Sequence, residues 1–377
     1  MRRNASYIFT GVIILFPILS IYGIGLGTFT LGDFFLTLSC FICFLYRSDK
    51  ISINISYLFF VIYIFINFIF IKAFETLTPD VTMRTLRYAF YVFVIACFVN
   101  KNFNYEFGKK FFYIICILSI LMMGIQTLSW LFFHKYIQGY LPGLTILRDD
   151  LVTFSEGGKV DSLGLLRPRS FFGEPAHYCQ YLLGYICFLL FDKKHNNYWL
   201  IGFFSLGIIL SVSSTGILCL GFLLFIFSIK NWKKLLIYAP IVILILYFIY
   251  YSEYFQGFLI RMENGKSSSD RFAGYSLLFE YRNFFSLLFG NGMKLLEGDY
   301  LSGYLRLFYY FGITGVILFF YEILSGYKKH NQVGKILVWL FIVLNIGTEV
   351  ALGPFLIIYS SFILTSNEKR FRYFELQ

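Results

Sequence analysis

The chain reads as an all-α, polytopic integral membrane protein of about 12 transmembrane helices, and three observations lead there. Of its 377 residues, 58% are hydrophobic and 22% aromatic, and the mean hydropathy is +0.70, more apolar than a soluble core of this length requires. Runs of roughly 15 to 23 apolar residues recur from end to end, and a bilayer takes about 20 per crossing at about 1.5 Å rise each. Short Lys and Arg clusters punctuate these runs at alternate connectors, the signature of loops held in the cytoplasm.

The pattern predicts helices over about 6–26, 28–46, 55–72, 85–99, 111–133, 174–191, 198–212, 215–229, 235–252, 303–324, 336–349 and 352–365. The first follows Met1-Arg2-Arg3 and carries no small-residue cleavage site, so it reads as a retained helix. Arg2/Arg3, Arg47/Lys50, Lys101/Lys109/Lys110, Lys193/Lys194, Lys230/Lys233/Lys234, Lys328/Lys329/Lys335 and Lys369/Arg370/Arg372 then face the cytoplasm, with both termini. Residues 198–229 and 336–365 are each too long for one crossing and short for two, yet basic clusters flank both ends. Each must cross twice, turning at Ser211–Gly216 and at Gly347–Pro354, with helices of about 15 residues that fall short of a hydrocarbon core of about 30 Å. Short helices with polar ends imply a recessed cavity on the outer side. A single membrane domain over 1–377 is expected, with long outer loops at about 134–173 and 253–302.

The seven cysteines all fall in apolar runs, which suits packing rather than disulfides, and Cys40-x-x-Cys43 lacks the His or second Cys pair of a metal site. No metal and no cofactor is expected. No glycine-rich nucleotide loop follows a strand, and nothing suggests nucleic acid as a partner. In the predicted topology the cytoplasmic side takes 13 Lys and 5 Arg, the outer side 5 Lys and 9 Arg. Lysine suffices to hold a loop in the cytoplasm, whereas arginine offers a planar fork of donors suited to phosphate and carboxylate oxygens. The bias points to an anionic ligand outside.

Arg167, Arg169, Glu174 and His177 gather at the mouth of the sixth helix. Pro175 suits its first turn, which puts Glu174 near the N-cap, where a capping carboxylate is the plain structural reading. His177 lies three residues on, along the same face, and Arg169 can fold back over both, which would bring a base, a proton shuttle and a cation together. In the second loop, Asp270-Arg271 opens an amphipathic stretch from Phe272 to Phe289 that includes Arg282 and ends in Gly290-Asn291-Gly292; an interfacial anchor is its plain reading. Asp299, Tyr304 and Arg306 lead into the tenth helix. Arg306 falls about one turn inside the apolar run, where a lone cation costs about 2.5–3.5 kcal/mol unless it snorkels outward. Arg84, Arg87, Arg282 and Glu349 form a second tier. Asp33, Asn67, Gln126 and Glu322 read as interhelical glue or cytoplasmic-end residues, and His134, His195 and His330 as loop residues without partners.

On these motifs the chain resembles the Wzy-type polymerases of bacterial O-antigen and capsule repeat units, a group similar to the O-antigen ligases. The resemblance rests on the order and placement of Arg169-x-x-Phe-Gly-Glu174-Pro175, Ser213-Ser214-Thr215-Gly216, Arg271 with Gly290-Asn291-Gly292, and Tyr304-Leu305 before Gly312-x-x-Gly315. Leu301-Ser302 stand where ligases usually carry His-Asn, and the paired Arg-x10-Gly loop motifs of some polymerases are absent.

The resemblance implies a donor glycan on polyprenyl diphosphate, attacked at its anomeric carbon by a hydroxyl of a second lipid-linked repeat unit, with no metal required. Arg169 and Arg271 would take the diphosphate, Arg306 and Arg167 would support them, Asp299 or Tyr304 would contact sugar, and Glu174 with His177 would supply the base. A chain-length regulator and a flippase of the same pathway would be partners alongside the bilayer. A ligase, or in another class a glycolipid flippase, is the alternative; a flippase should spread its cations through mid-membrane positions.

Overall fold

The computed structural model describes residues 2–25, 28–46, 52–74, 77–147, 167–192, 197–230, 284–294 and 301–366. Every regular element among the described residues is helical, and β pairing is confined to isolated bridges, Tyr22 with Ile146 and Gly23 with Thr30. The helices are α1 (Arg2–Leu19), α2 (Leu31–Leu45), α3 (Ile55–Phe74), α4 (Pro79–Val94), α5 (Tyr105–Phe133), α6 (Pro175–Phe191), α7 (Tyr198–Leu210), α8 (Ser214–Lys230), α9 (Phe284–Phe289), α10 (Gly303–Leu324), α11 (Gln332–Gly347) and α12 (Phe355–Thr365). Each predicted segment that falls on described residues is helical over most of its length, except that the first ends at Leu19 and gives way to the bridges at Tyr22 and Gly23, whereas the one at 235–252 lies outside the described residues.

Among the described residues, four helical stretches are long and apolar enough to cross a membrane: Ile55–Ala73, Pro79–Asn102, Tyr105–Phe133 and Gly303–Lys329. Others, such as Tyr198–Leu210 and Gln332–Gly347, are apolar but shorter. The second of the four begins six residues before the hydropathy pattern suggests. Thr78 accepts the N–H of Val81 and Pro79 takes the first helical position, so local capping starts the helix where Asp80 and Arg84 make the sequence look polar. The same stretch runs through a π turn, Ile95–Val99.

At the head of α2, Asp33 Oδ2 accepts the N–H of Thr30 at 2.9 Å and its hydroxyl at 2.8 Å, while Thr30 Oγ1 takes the Asp33 N–H at 3.0 Å. Tyr91 donates to Asp33 Oδ1 at 2.5 Å. A buried carboxylate satisfied on both oxygens by a capping box and a phenol is a structural group.

The chain falls into two units. One comprises Met1–Ile115, Gly143–Leu147 and Ala273–Gln377, the other Cys116–Pro142 and Arg148–Phe272, so the division falls within α5. The first unit has an aromatic core in which Phe60 meets Tyr88, Phe311 and Phe319 edge-on, and Tyr88 stacks on Phe311. In the second, Tyr178–Phe191 of α6 are buried without a gap, as expected of a helix that is apolar all round. Gly207 and Gly216 let α7 and α8 approach it, since a Cβ at either would run into Tyr178 or Cys179.

Helix α10 is broken. Gly312, at φ 63° and ψ −169°, interrupts it, and a break there frees the carbonyls before it, which in hydrocarbon would cost several kcal/mol each. All three find donors. Tyr309 O accepts the Asn291 N–H at 2.8 Å, Tyr310 O that of Gly292 at 3.0 Å, and Phe311 O the Tyr63 hydroxyl at 2.5 Å. Gly290-Asn291-Gly292 is thus a plug for the break, held from behind by Asn67, whose amide donates to Phe289 O. Of the predicted amphipathic stretch, Phe284–Phe289 is helical as α9, and the portion from Phe272 to Asn283 lies outside the described residues.

Candidate functional site

The approach to α6 is built around a strained serine. Ser170 has φ 56°, a left-handed conformation that costs a non-glycine residue roughly 1–2 kcal/mol. Gln126 of α5 holds it there: its Oε1 accepts the N–H of Ser170 at 2.9 Å and of Arg169 at 3.2 Å, and its Nε2 donates to Ser170 O at 3.2 Å. The Ser170 hydroxyl donates to Ser119 O at 2.7 Å. Gly139 packs so closely on the Ser170 carbonyl that a Cβ there would collide with it.

This clamp aims Arg169 inward. The residue is 5% exposed. Its Nη1 donates to Gly173 O at 3.2 Å, so the side chain does fold back toward the start of α6, and its guanidinium lies 4.7 Å from the ring centroid of Tyr140. Tyr136 stands beside it: burial pushes the Tyr136 phenol up, and the Arg169 charge acts the other way. Arg169 Nη2 is buried with no hydrogen-bond partner, and among the described residues no ion pair joins Arg169 to a carboxylate. A buried guanidinium met by a carbonyl, a ring and the Tyr136 phenol, with no carboxylate paired to it among the described residues, has its charge left to offer.

Glu174 is the N-cap residue of α6, with Pro175 at the first helical position, but its side chain makes no capping hydrogen bond. The capping role that its position suggests is therefore not what this carboxylate does. Glu174 and His177 are both half-buried at the same helix mouth. Arg167 is half-buried and near enough to act electrostatically on Cys179. Cys179 lies 3.0 Å from Ser211 Oγ, on the predicted Ser211–Gly216 turn, where Val212 has φ 52°. The second unit thus has Arg167, Arg169, Glu174 and His177 about the start of α6, and it brings the serine turn to Cys179 of the same helix, a neighbour the sequence did not suggest. It adds Gln126, Tyr136 and Tyr140, which hydropathy reading passes over.

In the first unit Arg306 pairs with Glu349, the two being 17% and 30% exposed. Tyr310, one turn on, lies within electrostatic reach of both and of Arg84, and Arg84 is also paired with Asp80 at 2.8 Å. The start of α10 is fixed against the Gly347–Pro354 turn: the Gly303 N–H donates to Thr348 O at 3.1 Å, and Asn345 Oδ1 holds the turn through the Ala351 N–H at 2.7 Å. Tyr304 spends its hydroxyl on Ile342 O at 2.8 Å and stacks on Phe320, so it serves as a brace between α10 and α11. Arg87 donates to Thr28 O at 2.6 Å and lies 3.9 Å from Asp33, which makes it a tether for the α1–α2 connection. Arg271, Arg282 and Asp299 lie outside the described residues.

Compared with protein-family models, curated proteins and solved structures, the chain matches none.

Proposed function

We propose that this chain is a membrane glycosyltransferase that polymerises polyprenyl-diphosphate-linked oligosaccharide repeat units on the outer face of a bacterial cytoplasmic membrane, through a fold of about twelve crossings with both termini inside. The observation that carries it is Arg169: a guanidinium 5% exposed, with one amino group unpartnered. Burying such a cation is expensive unless an anion meets it. A diphosphate supplies that anion, and the unpartnered Nη2 is a donor for its oxygens.

In the reaction, an acceptor hydroxyl of one lipid-linked unit attacks the anomeric carbon of another. The new glycosidic bond forms as the bond to the lipid diphosphate breaks, and the diphosphate leaves with the electron pair. Arg169, with Arg167 and Arg271, stabilises the charge on the departing oxygen. Glu174, freed from capping duty, takes the hydroxyl proton, with His177 as its relay; such assistance is worth about 10²- to 10⁴-fold.

The test is polymer length in cells that carry Arg169→Ala, Arg271→Lys or Glu174→Gln as the sole copy. Each is expected to collapse the ladder toward single repeat units at normal protein level. Normal ladders from all three would reject the proposal.

A further inference from the structure

A buried guanidinium that is to meet an anion needs a neighbour that holds its charge without using up its donors. Helix α5 ends at Phe133, and His134, at φ 50°, turns the chain out of it. The segment that follows is fastened at both ends. Ser129 of α5 donates its hydroxyl to Lys135 O at 2.8 Å, and the backbone of Gly139 lies against the Ser170 carbonyl, where a Cβ would come within 1.8 Å of the oxygen. Tyr140, the next residue, is thereby brought to Arg169 by contacts that do not involve the guanidinium. Its ring centroid stands 4.7 Å from Arg169 Cζ.

We propose that Tyr140 is a positioning residue for diphosphate binding, its ring holding the Arg169 guanidinium ready for the anion, which rests on the reading above that Arg169 meets the diphosphate. A carboxylate in the place of Tyr140 would cancel the charge and occupy the N–H fork. A ring face stabilises the cation electrostatically and takes no N–H. Arg169 Nη1 is engaged by Gly173 O at 3.2 Å, whereas Nη2 has no hydrogen-bond partner, so a donor remains for an incoming oxygen. An arginine side chain free to rotate has to be ordered when its ligand arrives, and that ordering weakens binding. One already pinned between a ring and a carbonyl has less freedom to lose.

The experiment is calorimetric titration of the purified full-length protein in detergent with farnesyl diphosphate, a short polyprenyl diphosphate. Tyr140→Phe is expected to bind as the wild type does, and Tyr140→Leu, which keeps apolar bulk but has no π face, about tenfold more weakly. In an Arg169→Ala background Tyr140→Leu should cost nothing further, because its effect runs through the guanidinium; a packing role would persist there. Should Tyr140→Leu not accumulate, phenylalanine carrying one, two and then three ring fluorines at position 140 decides the matter at nearly constant shape. Fluorine drains the negative face of the ring, so affinity should fall stepwise. Wild-type affinity in Tyr140→Leu, a further loss in the Arg169→Ala background, or a flat fluorine series overturns the proposal. A loss in Arg169→Ala with none in Tyr140→Leu removes Tyr140 alone and leaves the diphosphate reading standing, whereas wild-type binding by Arg169→Ala removes both.

Discussion

Gln126 and Ser170 are joined by two hydrogen bonds, Oε1 to the Ser170 N–H at 2.9 Å and Nε2 to its carbonyl at 3.2 Å. A side-chain amide that pairs with one residue's N–H and C=O acts as a strand edge would, and it makes the left-handed backbone of Ser170 affordable. Arg169, the neighbouring residue, takes its aim from that conformation.

Gln126→Leu keeps the volume and removes these bonds along with the one to the Arg169 N–H. Leaving buried backbone groups unpaired costs about 1–3 kcal/mol each, and the 167–174 segment should loosen while the helices persist. The expected outcome is polymer output reduced by an order of magnitude or more at near-normal membrane abundance, with faster hydrogen exchange confined to that segment. Unchanged exchange there would show that Gln126 does not position Arg169.

Arg306 and Glu349 stand 43 positions apart and form an ion pair that is only part-exposed. Removing one partner strands the other, so the losses from Arg306→Ala and Glu349→Ala should sum to more than the double variant loses, with a coupling of about 0.5–3 kcal/mol. Thermal melts of the two single variants and the double variant close the cycle. Additive losses would mean that the pair contributes nothing beyond its separate residues.

Helix positions were legible in the sequence because apolar runs report on hydrocarbon length, and the arginine-rich mouth of α6 was legible because charge is conspicuous there. Three classes of residue were not. Gln126, Asn67 and Glu322 are single polar residues in apolar runs, and periodicity cannot tell a clamp for a distant loop from plain interhelical glue. Tyr304 and Arg87 carry the right chemistry for a ligand, yet Tyr304 spends its one donor on Ile342 O and Arg87 turns Nη1 to Thr28 O, partners 38 and 59 positions away. Finally, Gly312 sits in an unbroken apolar run, so hydropathy passes through the break in α10 without a signal.

That break yields a sharp contrast among glycines. Gly312 has a backbone conformation open essentially to glycine alone, and a Cβ there would collide with Leu288 and Gly290. Gly221, inside α8, has nothing within 4 Å of a built Cβ. Gly312→Ala should cost several kcal/mol and abolish accumulation or lower the melting temperature sharply, whereas Gly221→Ala should be neutral or raise stability by about 0.5–1 kcal/mol, since alanine is the better helix former. Equal melting temperatures for the two variants would contradict a break at Gly312.

His330 supplies a pH test. The sequence reads it as a loop residue without a partner, but it is buried, its Nδ1 lies 3.3 Å from Ser366 Oγ, and its Nε2 has no partner. Gly334 allows that contact, because a Cβ would strike Ser366, and Asn331 ties the start of α11 to the end of α12 by donating its N–H to Ser366 O at 2.9 Å. Burial, and then the Lys335 charge, hold the imidazole below its ordinary value of 6.5. In the unfolded chain it regains that value, so below about pH 6.5 the unfolded state binds the extra proton first. The stability that neutral His330 contributes is therefore present above about pH 6.5 and is lost as pH falls through the unfolded value toward the depressed folded one. Melting temperatures measured between about pH 5 and 8 should fall on the acid side in the wild type and fall less in His330→Gln, which keeps a polar group of similar size but cannot take up a proton there. Parallel curves for the two proteins would mean that the α10–α11 connection is not held together by a neutral imidazole.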